Sequence, residues 1–271
     1  MALTQLQRAI CRLIADNRVA AGDGYVAGGA ALNELIGASR LSRDIDLFHD
    51  TDEALVATWR ADRSLLEERG YAVRVLRELP ALVEAEVARG PEKVRVEWAR
   101  DSAFRFFPLL RHDELGLTLH PFDLATNKVL ALVGRLEVRD WVDVIECDDR
   151  IQPLGYLAWA ACGKDPGFSP ASILEHAARS ARYSADEVGR LSFAGPPPDA
   201  AALSRRWHSI LDAAREIVAT LPPEEIGKCV VTATGALCTA GAAELSTVLG
   251  RGMLVFHPGR IRGALPTVSS H

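Results

Sequence analysis

Two carboxylates separated by a single residue, Asp44 and Asp46, form the most informative pattern in this sequence of 271 residues. Apolar and polar residues alternate around them, as they do in a half-buried β-strand. Because side chains alternate along a strand, both carboxylates face one side, while Ile45 and Leu47 face the other. Adjacent carboxylates repel each other unless a cation neutralises them, and oxygen ligands suit Mg²⁺ bound together with substrate phosphates. The pattern therefore predicts that Asp44 and Asp46 bind Mg²⁺ or Mn²⁺.

A short apolar segment, two glycines and a helical pattern precede these carboxylates. Residues 25–27 are apolar, Gly28 and Gly29 follow at once, and residues 30–36 have helical spacing. Such a turn directs backbone N–H groups and the positive end of a helix at an anion, and the missing side chains let a phosphate approach closely. Either motif alone is common in unrelated proteins. Together they predict a phosphate cradle beside a metal site, which nucleotidyl transfer from a nucleoside triphosphate requires.

Lys128 is the next candidate, because its charge lies on the apolar face of a predicted helix with Leu124 and Leu132. A buried ammonium group needs a partner, and either a triphosphate or a nearby carboxylate would serve. Asp140 and Asp143 share one face of the following helix. Arg139 could pair with Asp143 four residues later, which would leave Asp143 with a structural role.

Glu97 is a third candidate carboxylate. It alternates with Val94, Val96 and Trp98 on a predicted strand, so it faces away from the apolar residues. Facing the metal, it could accept the proton of an attacking hydroxyl group. Arg95 shares its face, so a structural Arg–Glu pair is an equal alternative.

The segments GGAALN (28–33) and SRDIDLF (42–48) resemble nucleotidyltransferases related to DNA polymerase β. They are most similar to the AbiEii/AbiGii toxin family, which includes the MenT toxins. Lys128 on its helix and the later segment Arg139-Asp140-Trp141-Val142-Asp143 resemble that family too. Polymerase-β-like enzymes usually have Gly-Ser where this chain has Gly28-Gly29, and we expect Ser42 to supply the missing hydroxyl.

This resemblance implies a metal-dependent enzyme that transfers a nucleoside monophosphate from a nucleoside triphosphate (NTP) to an acceptor hydroxyl. It implies a toxin of a toxin–antitoxin or phage-defence system that acts on tRNA and has a cognate antitoxin. It also implies site residues. The expected metal ligands are Asp44 and Asp46, and the expected nucleotide-binding residues are Gly28, Gly29, Ser42, Arg43 and Lys128. The third catalytic carboxylate would be Asp140, Asp143 or Glu97.

Two other functions remain open from the sequence. One is an antibiotic-modifying nucleotidyltransferase with a small-molecule acceptor, which the net charge of −5 slightly favours. The other is a non-catalytic nucleotide-binding regulatory protein. An acidic protein binds RNA only through a local basic patch. The candidates for such a patch are Arg40, Arg43, Arg179, Arg182, Arg205 and Arg206.

Predicted strands fall in the first 100 residues and predicted helices in the rest, which indicates an α/β or α+β fold. We expect a polymerase-β-like head with a short mixed sheet over residues 1–150 and a helical region over 151–271. The last helices are predicted at 200–220 and 223–248, and residues 104–113 are predicted to be irregular. Five scattered cysteines without metal-binding spacing, and no signal peptide or membrane span, predict a cytoplasmic protein.

Overall fold

The computed structural model describes residues 3–179 and 183–267. The elements of the first part of the chain are α1 (Gln5–Ala21), β1 (Gly24–Ala27), α2 (Gly28–Ile36), β2 (Asp44–His49), α3 (Asp52–Glu68), β3 (Ala72–Leu79), β4 (Leu82–Arg89), β5 (Glu92–Arg100), β6 (Phe104–Arg105), β7 (Leu110–His112) and β8 (Gly116–Thr118). The later elements are α4 (Pro121–Arg135), α5 (Val138–Arg150), α6 (Leu154–Ala161), α7 (Pro170–Ala178), α8 (Ala185–Gly189), α9 (Ala200–Thr220), a short 3₁₀ helix (Pro223–Glu225), β9 (Lys228–Thr232), α10 (Ala242–Gly250), β10 (Leu254–Pro258) and β11 (Arg260–Ile261).

Seven strands form one mixed sheet in the order β3-β4-β5-β2-β1-β8-β7. Strand β2 runs parallel to β5, and β1 runs parallel to β8, whereas the other neighbours are antiparallel. The predicted mixed α/β fold with helices beside a mixed sheet is confirmed.

One face of this sheet carries the core that packs against α3. Ile45, Leu47 and Trp98 are fully buried there. Trp98 packs against Trp59 of α3 with tilted rings whose centroids lie 4.7 Å apart, and its indole donates to Asp62 at 2.9 Å. Burying the odd-numbered residues of β2 directs the even-numbered residues, Asp44 and Asp46 among them, to the opposite face.

The chain divides into two compact units, and the whole seven-stranded sheet belongs to the first. The first unit comprises residues 1–103 and 109–120, and the second comprises residues 104–108 and 121–271. The predicted boundary after residue 150 falls between α5 and α6, inside the second unit. Compactness does not test which segment carries the activity, so the assignment of residues 1–150 as the nucleotidyltransferase domain stays a prediction.

The second unit is mainly helical, with its core around α6 and α9. Tyr156 and Trp159 of α6 pack with Ile217 of α9 and with Val230 of β9. The buried Gln152 amide donates to the carbonyl oxygens of Val230 and Cys238 at 2.9 and 2.7 Å. This amide therefore ties the start of the helical layer to β9.

The predicted helix over residues 223–248 is wrong in its first half, where β9 pairs antiparallel with β10, whereas α10 occupies its end. Gly227 breaks the helix before β9 with a φ of +85°, and Cys229–Val231 is a fully buried, β-branched-rich run. Periodicity alone does not distinguish a short buried strand from a buried helix. Residues 104–113, predicted to be irregular, contain β6 and β7.

Within the described residues, no helix is both long enough and apolar enough to cross a membrane. All five cysteines are reduced and buried.

Candidate active site

Four carboxylates meet on the open face of the sheet, and we refer to Asp44, Asp46, Glu84 and Glu97 as the carboxylate cluster. Strand register produces this arrangement: Asp46 of β2 pairs with Glu97 of β5, which in turn pairs with Glu84 of β4. Asp44 is opposite Arg95, the next residue of β5 on the same face. The prediction that Glu97 faces away from the apolar side is confirmed.

Arg95 is the principal cation in contact with this cluster. Its guanidinium donates to both oxygens of Asp44, with Nε–Oδ1 and Nη2–Oδ2 distances of 3.2 and 3.1 Å. Its Nη1 atom lies 4.0 Å from Oε1 of Glu84. Arg95 of β5 therefore pairs with Asp44 of β2, and not with Glu97, which was the alternative from the sequence.

Glu97 has a raised pKa, because it is partly buried and surrounded by other carboxylates. Partial burial is the largest cause, followed by repulsion from Asp46 and Glu84, while Arg95 opposes the increase. A carboxyl group with a raised pKa accepts a proton more readily than an ordinary glutamate does. The environment of Glu97 thus suits the predicted role of proton acceptor.

Gly28 makes room for Asp46 at the start of α2. Its φ is +64°, and a Cβ atom on this residue would lie 1.7 Å from Oδ2 of Asp46. Both the backbone conformation and the close approach require glycine. Ala27 precedes the helix without a side-chain cap, so the first turn of α2 has no side-chain acceptor from its N-cap residue.

Gly29 lies beside two polar side chains from the loop before β2. A Cβ atom on Gly29 would lie 2.6 Å from Nη2 of Arg40 and 3.4 Å from Oγ of Ser42. The Ser42 hydroxyl also donates to the carbonyl oxygen of Asp44 at 3.2 Å. It therefore lies next to the position that a serine at residue 29 would occupy, whereas Arg43 is exposed.

Lys128 of the second unit contacts two carboxylates. Its Nζ atom lies 3.0 Å from Oδ1 of Asp140 and 3.2 Å from Oδ2 of Asp143, and both carboxylates are fully buried. The sequence left a triphosphate and a nearby carboxylate as alternative partners of this ammonium group, and the structure shows carboxylates in contact with it. Arg139 pairs with Glu137 rather than with Asp143, with a distance of 2.7 Å between Nε and Oε2.

Asp140 accepts hydrogen bonds from both Lys128 and Arg135. Burial raises its pKa, but hydrogen bonds and charge from Arg135 and Lys128 outweigh burial, so the pKa is lowered overall. Arg135 donates to both Asp140 oxygens, with a distance of 2.6 Å from Nε and 2.9 Å from Nη2. The roles of Lys128, Asp140 and Asp143 in activity stay predictions.

The arginines predicted to bind RNA differ in their surroundings. Arg179 and Arg205 are exposed, Arg40 is buried beside Gly29, and Arg206 pairs with Asp149. Arg182 lies outside the described residues. An RNA-binding patch formed by these arginines stays a prediction.

The donor set at Asp44 and Asp46 fits the predicted divalent cation. Both ligands are carboxylates on one face, and the charge that raises the pKa of Glu97 is the charge that a cation would neutralise. Among residues 3–179 and 183–267, no three acidic, histidine or cysteine side chains are arranged to hold a metal by themselves. Because Mg²⁺ prefers octahedral coordination, a cation at Asp44 and Asp46 would also bind further oxygens, such as those of substrate phosphates.

Glu84 and the Arg95–Asp44 pair are the site features that the sequence patterns did not indicate. The sequence does contain the information that locates Glu84. The Gly90-Pro91 turn sets the register of the β4–β5 hairpin, and this register places Glu84 opposite Glu97. No local pattern indicated the Arg95–Asp44 pair, because β2 and β5 are far apart in the chain.

No protein-family model matches the sequence, and no curated protein sequence is significantly similar to it. Solved structures do match its fold. A Helicobacter pylori protein to which nucleotidyltransferase activity has been attributed aligns with a TM-score of 0.54 at 14% identity, over 80% of this chain and 96% of that one. The protein JHP933 from Helicobacter pylori aligns with a TM-score of 0.52 at 13% identity, over 80% and 95%.

The chain therefore shares the fold of these two proteins. MenT4, a nucleotidyltransferase toxin from Mycobacterium tuberculosis, aligns with a TM-score of 0.53 at 17% identity, over 81% of this chain and 85% of MenT4. The predicted resemblance to MenT-like nucleotidyltransferases is confirmed at the level of the fold.

Proposed function

We propose that this protein transfers a nucleoside monophosphate from an NTP to an acceptor hydroxyl group. The observation that carries the proposal is the carboxylate cluster beside the Gly28-Gly29 turn, on a nucleotidyltransferase fold. Asp44 and Asp46 supply metal ligands at the position where the first turn of α2 offers backbone N–H groups to phosphate. One face of the first unit thus offers both components that the chemistry needs.

In the proposed reaction the acceptor oxygen attacks the α-phosphorus and forms a new phosphodiester bond. The bond from the α-phosphorus to the bridging oxygen breaks, and pyrophosphate leaves with that electron pair. Glu97 accepts the proton of the attacking hydroxyl, for which its raised pKa suits it. A bound divalent cation would supply charge neutralisation for the triphosphate. Arg40 and Ser42, beside Gly29, are placed to orient phosphate oxygens.

We further propose that the acceptor is RNA, in the form of tRNA by resemblance, and that the protein is a cytoplasmic toxin neutralised by a cognate antitoxin. The similarity of the motifs to the AbiEii/AbiGii toxin family supports this proposal. So does the shared fold with MenT4, which is itself a nucleotidyltransferase toxin.

The test is incubation of the purified protein with each radiolabelled NTP, Mg²⁺ and total RNA, followed by separation of the RNA species. Wild type should label tRNA, and Asp46→Asn should abolish labelling without loss of folding. Glu86→Gln is the matched control, because Glu86 lies on β4 but pairs with Arg74 and Lys93 outside the cluster. Label that enters only a small molecule would support the antibiotic-modifying alternative. Nucleotide binding without any transfer would support the regulatory one.

A second experiment tests the toxin role separately. Induced expression of wild type should arrest growth, whereas Asp46→Asn expressed at the same level should not. Normal growth with active wild-type enzyme would leave the transfer activity standing and contradict the toxin role.

A further inference from the structure

A second charged site lies in the first unit, in an open cavity of about 370 Å³. We refer to it as the arginine cavity. Its lining residues are Ala9, Arg12, Leu13, Arg69, Tyr71 and Arg89. The first three belong to α1. Arg69 follows α3, Tyr71 precedes β3, and Arg89 is the last residue of β4.

The arginine cavity and the carboxylate cluster lie on opposite faces of the sheet. Val83, Ala85 and Val87 of β4 are buried, and Arg89 continues this alternation. Glu84 has the opposite parity and faces the carboxylate cluster. The cavity is therefore separate from the proposed NTP site.

The charges in this cavity are not balanced. Arg12 forms an ion pair with Glu114, whereas Arg69 and Arg89 have no acidic partner within the part of the chain that the structure describes. The Arg89 guanidinium lies 5.1 Å from the centre of the Tyr71 ring and donates to its hydroxyl at 3.4 Å. Tyr71 is buried and thereby holds Arg89 at the cavity wall.

Arg69 and Arg89 line one cavity without an acidic partner among the described residues, and like charges repel each other unless an anion binds near them. The protein as a whole is acidic, with a net charge of −5, so a general positive field does not account for their convergence. Guanidinium groups bind phosphate through paired hydrogen bonds, and arginine is the residue best suited to do so.

We propose that the arginine cavity is a binding site for a phosphate group, distinct from the NTP site. The phosphate belongs either to a free phosphorylated ligand or to the backbone of an RNA. Both have the same chemistry at the cavity, and the experiment distinguishes them. Phosphate binding at this site needs no metal, so it can be tested independently of the proposed transfer activity.

Binding is measured in EDTA with two probes, inorganic pyrophosphate by calorimetry and a short fluorescent RNA without terminal phosphates by anisotropy. The Asp46→Asn protein serves as the parent, so that metal-dependent binding at the NTP site is removed and its remaining phosphate contacts are the same in parent and variant. The double substitution Arg69→Gln, Arg89→Gln should weaken the bound probe by at least about tenfold, since it removes two charge-assisted contacts. Arg63→Gln is the control, because Arg63 is an exposed α3 arginine that pairs with Glu67 outside the cavity.

The two probes give distinct outcomes. Loss of pyrophosphate binding supports a free phosphorylated ligand. Loss of RNA binding, with a shallower salt dependence than the parent, supports the RNA backbone. The proposal is overturned if neither probe binds the parent, or if the double variant binds both probes as the parent does. Unchanged urea midpoints verify that the exposed substitutions leave the fold intact.

Discussion

Replacement of Arg95 by alanine should strengthen divalent-cation binding to the carboxylate cluster. Arg95 donates to both oxygens of Asp44, so a cation that binds Asp44 must compete with this guanidinium. Its removal frees the Asp44 oxygens and leaves four neighbouring carboxylates without their principal cation. Both effects favour a bound metal ion.

The magnitude follows from the exposure of the pair. The side chains of Arg95 and Asp44 are 47% and 23% exposed, so solvent screens their attraction and limits it to about 1 kcal/mol. Loss of that competing interaction corresponds to roughly a fivefold decrease in the metal dissociation constant. The pKa of Glu97 should rise further in the same variant, because Arg95 opposes its increase.

The assay is titration of the nucleotide-free protein with Mn²⁺, with free Mn²⁺ followed by electron paramagnetic resonance. Arg63→Ala is the charge-matched control, since it removes one exposed arginine that pairs with Glu67 on α3. Unchanged or weaker Mn²⁺ binding in Arg95→Ala would show that Arg95 does not compete with metal at Asp44.

Three further predictions concern Gly28, Lys128 and His49. Gly28→Ala should displace Asp46 and abolish Mn²⁺ binding and transfer, because the new Cβ atom would overlap Oδ2 of Asp46. Lys128→Met should lower the free energy of unfolding in urea by about 3–5 kcal/mol, because it leaves two buried carboxylates without their shared ammonium group. Burial lowers the pKa of His49 from 6.5 to about 4, so stability should be lost as the pH falls through that window. Between pH 7.5 and pH 5, the free energy of unfolding should fall by about 2 kcal/mol more in wild type than in His49→Gln.

Each of these predictions has a matched comparison. Gly37→Ala introduces alanine at the same φ of +64° but into open space, so it should cost about 1 kcal/mol of stability and keep metal binding. Equal effects of the two glycine variants would contradict the displacement of Asp46. A Lys128→Met protein as stable as wild type, but defective in NTP binding, would assign Lys128 to the nucleotide instead. Parallel pH profiles of wild type and His49→Gln would show that His49 does not titrate with unfolding.

Local sequence patterns were sufficient to locate the main features of the carboxylate site. Strand alternation placed Asp44 and Asp46 on one face, and the same rule placed Glu97 on the polar face of its strand. The glycine pair predicted the turn from β1 into α2 correctly. These features depend on neighbours only one to four residues away, so the chain itself specifies them.

The tertiary structure decided which charges meet. Arg95 contacts Asp44 because β2 and β5 are parallel neighbours, and Lys128 contacts Asp140 and Asp143 because α4 packs on α5. Strand β9 was mistaken for a helix, since its burial depends on packing against α6.

The arginine cavity shows the same distinction between local and long-range information. Its arginines lie on α1, after α3 and at the end of β4, and no spacing in the sequence relates them. Side-chain periodicity reports which face of an element is buried. The packing of elements that are distant in the chain determines which polar groups come together. Charged groups interact when they are close in space, whatever their separation in the sequence.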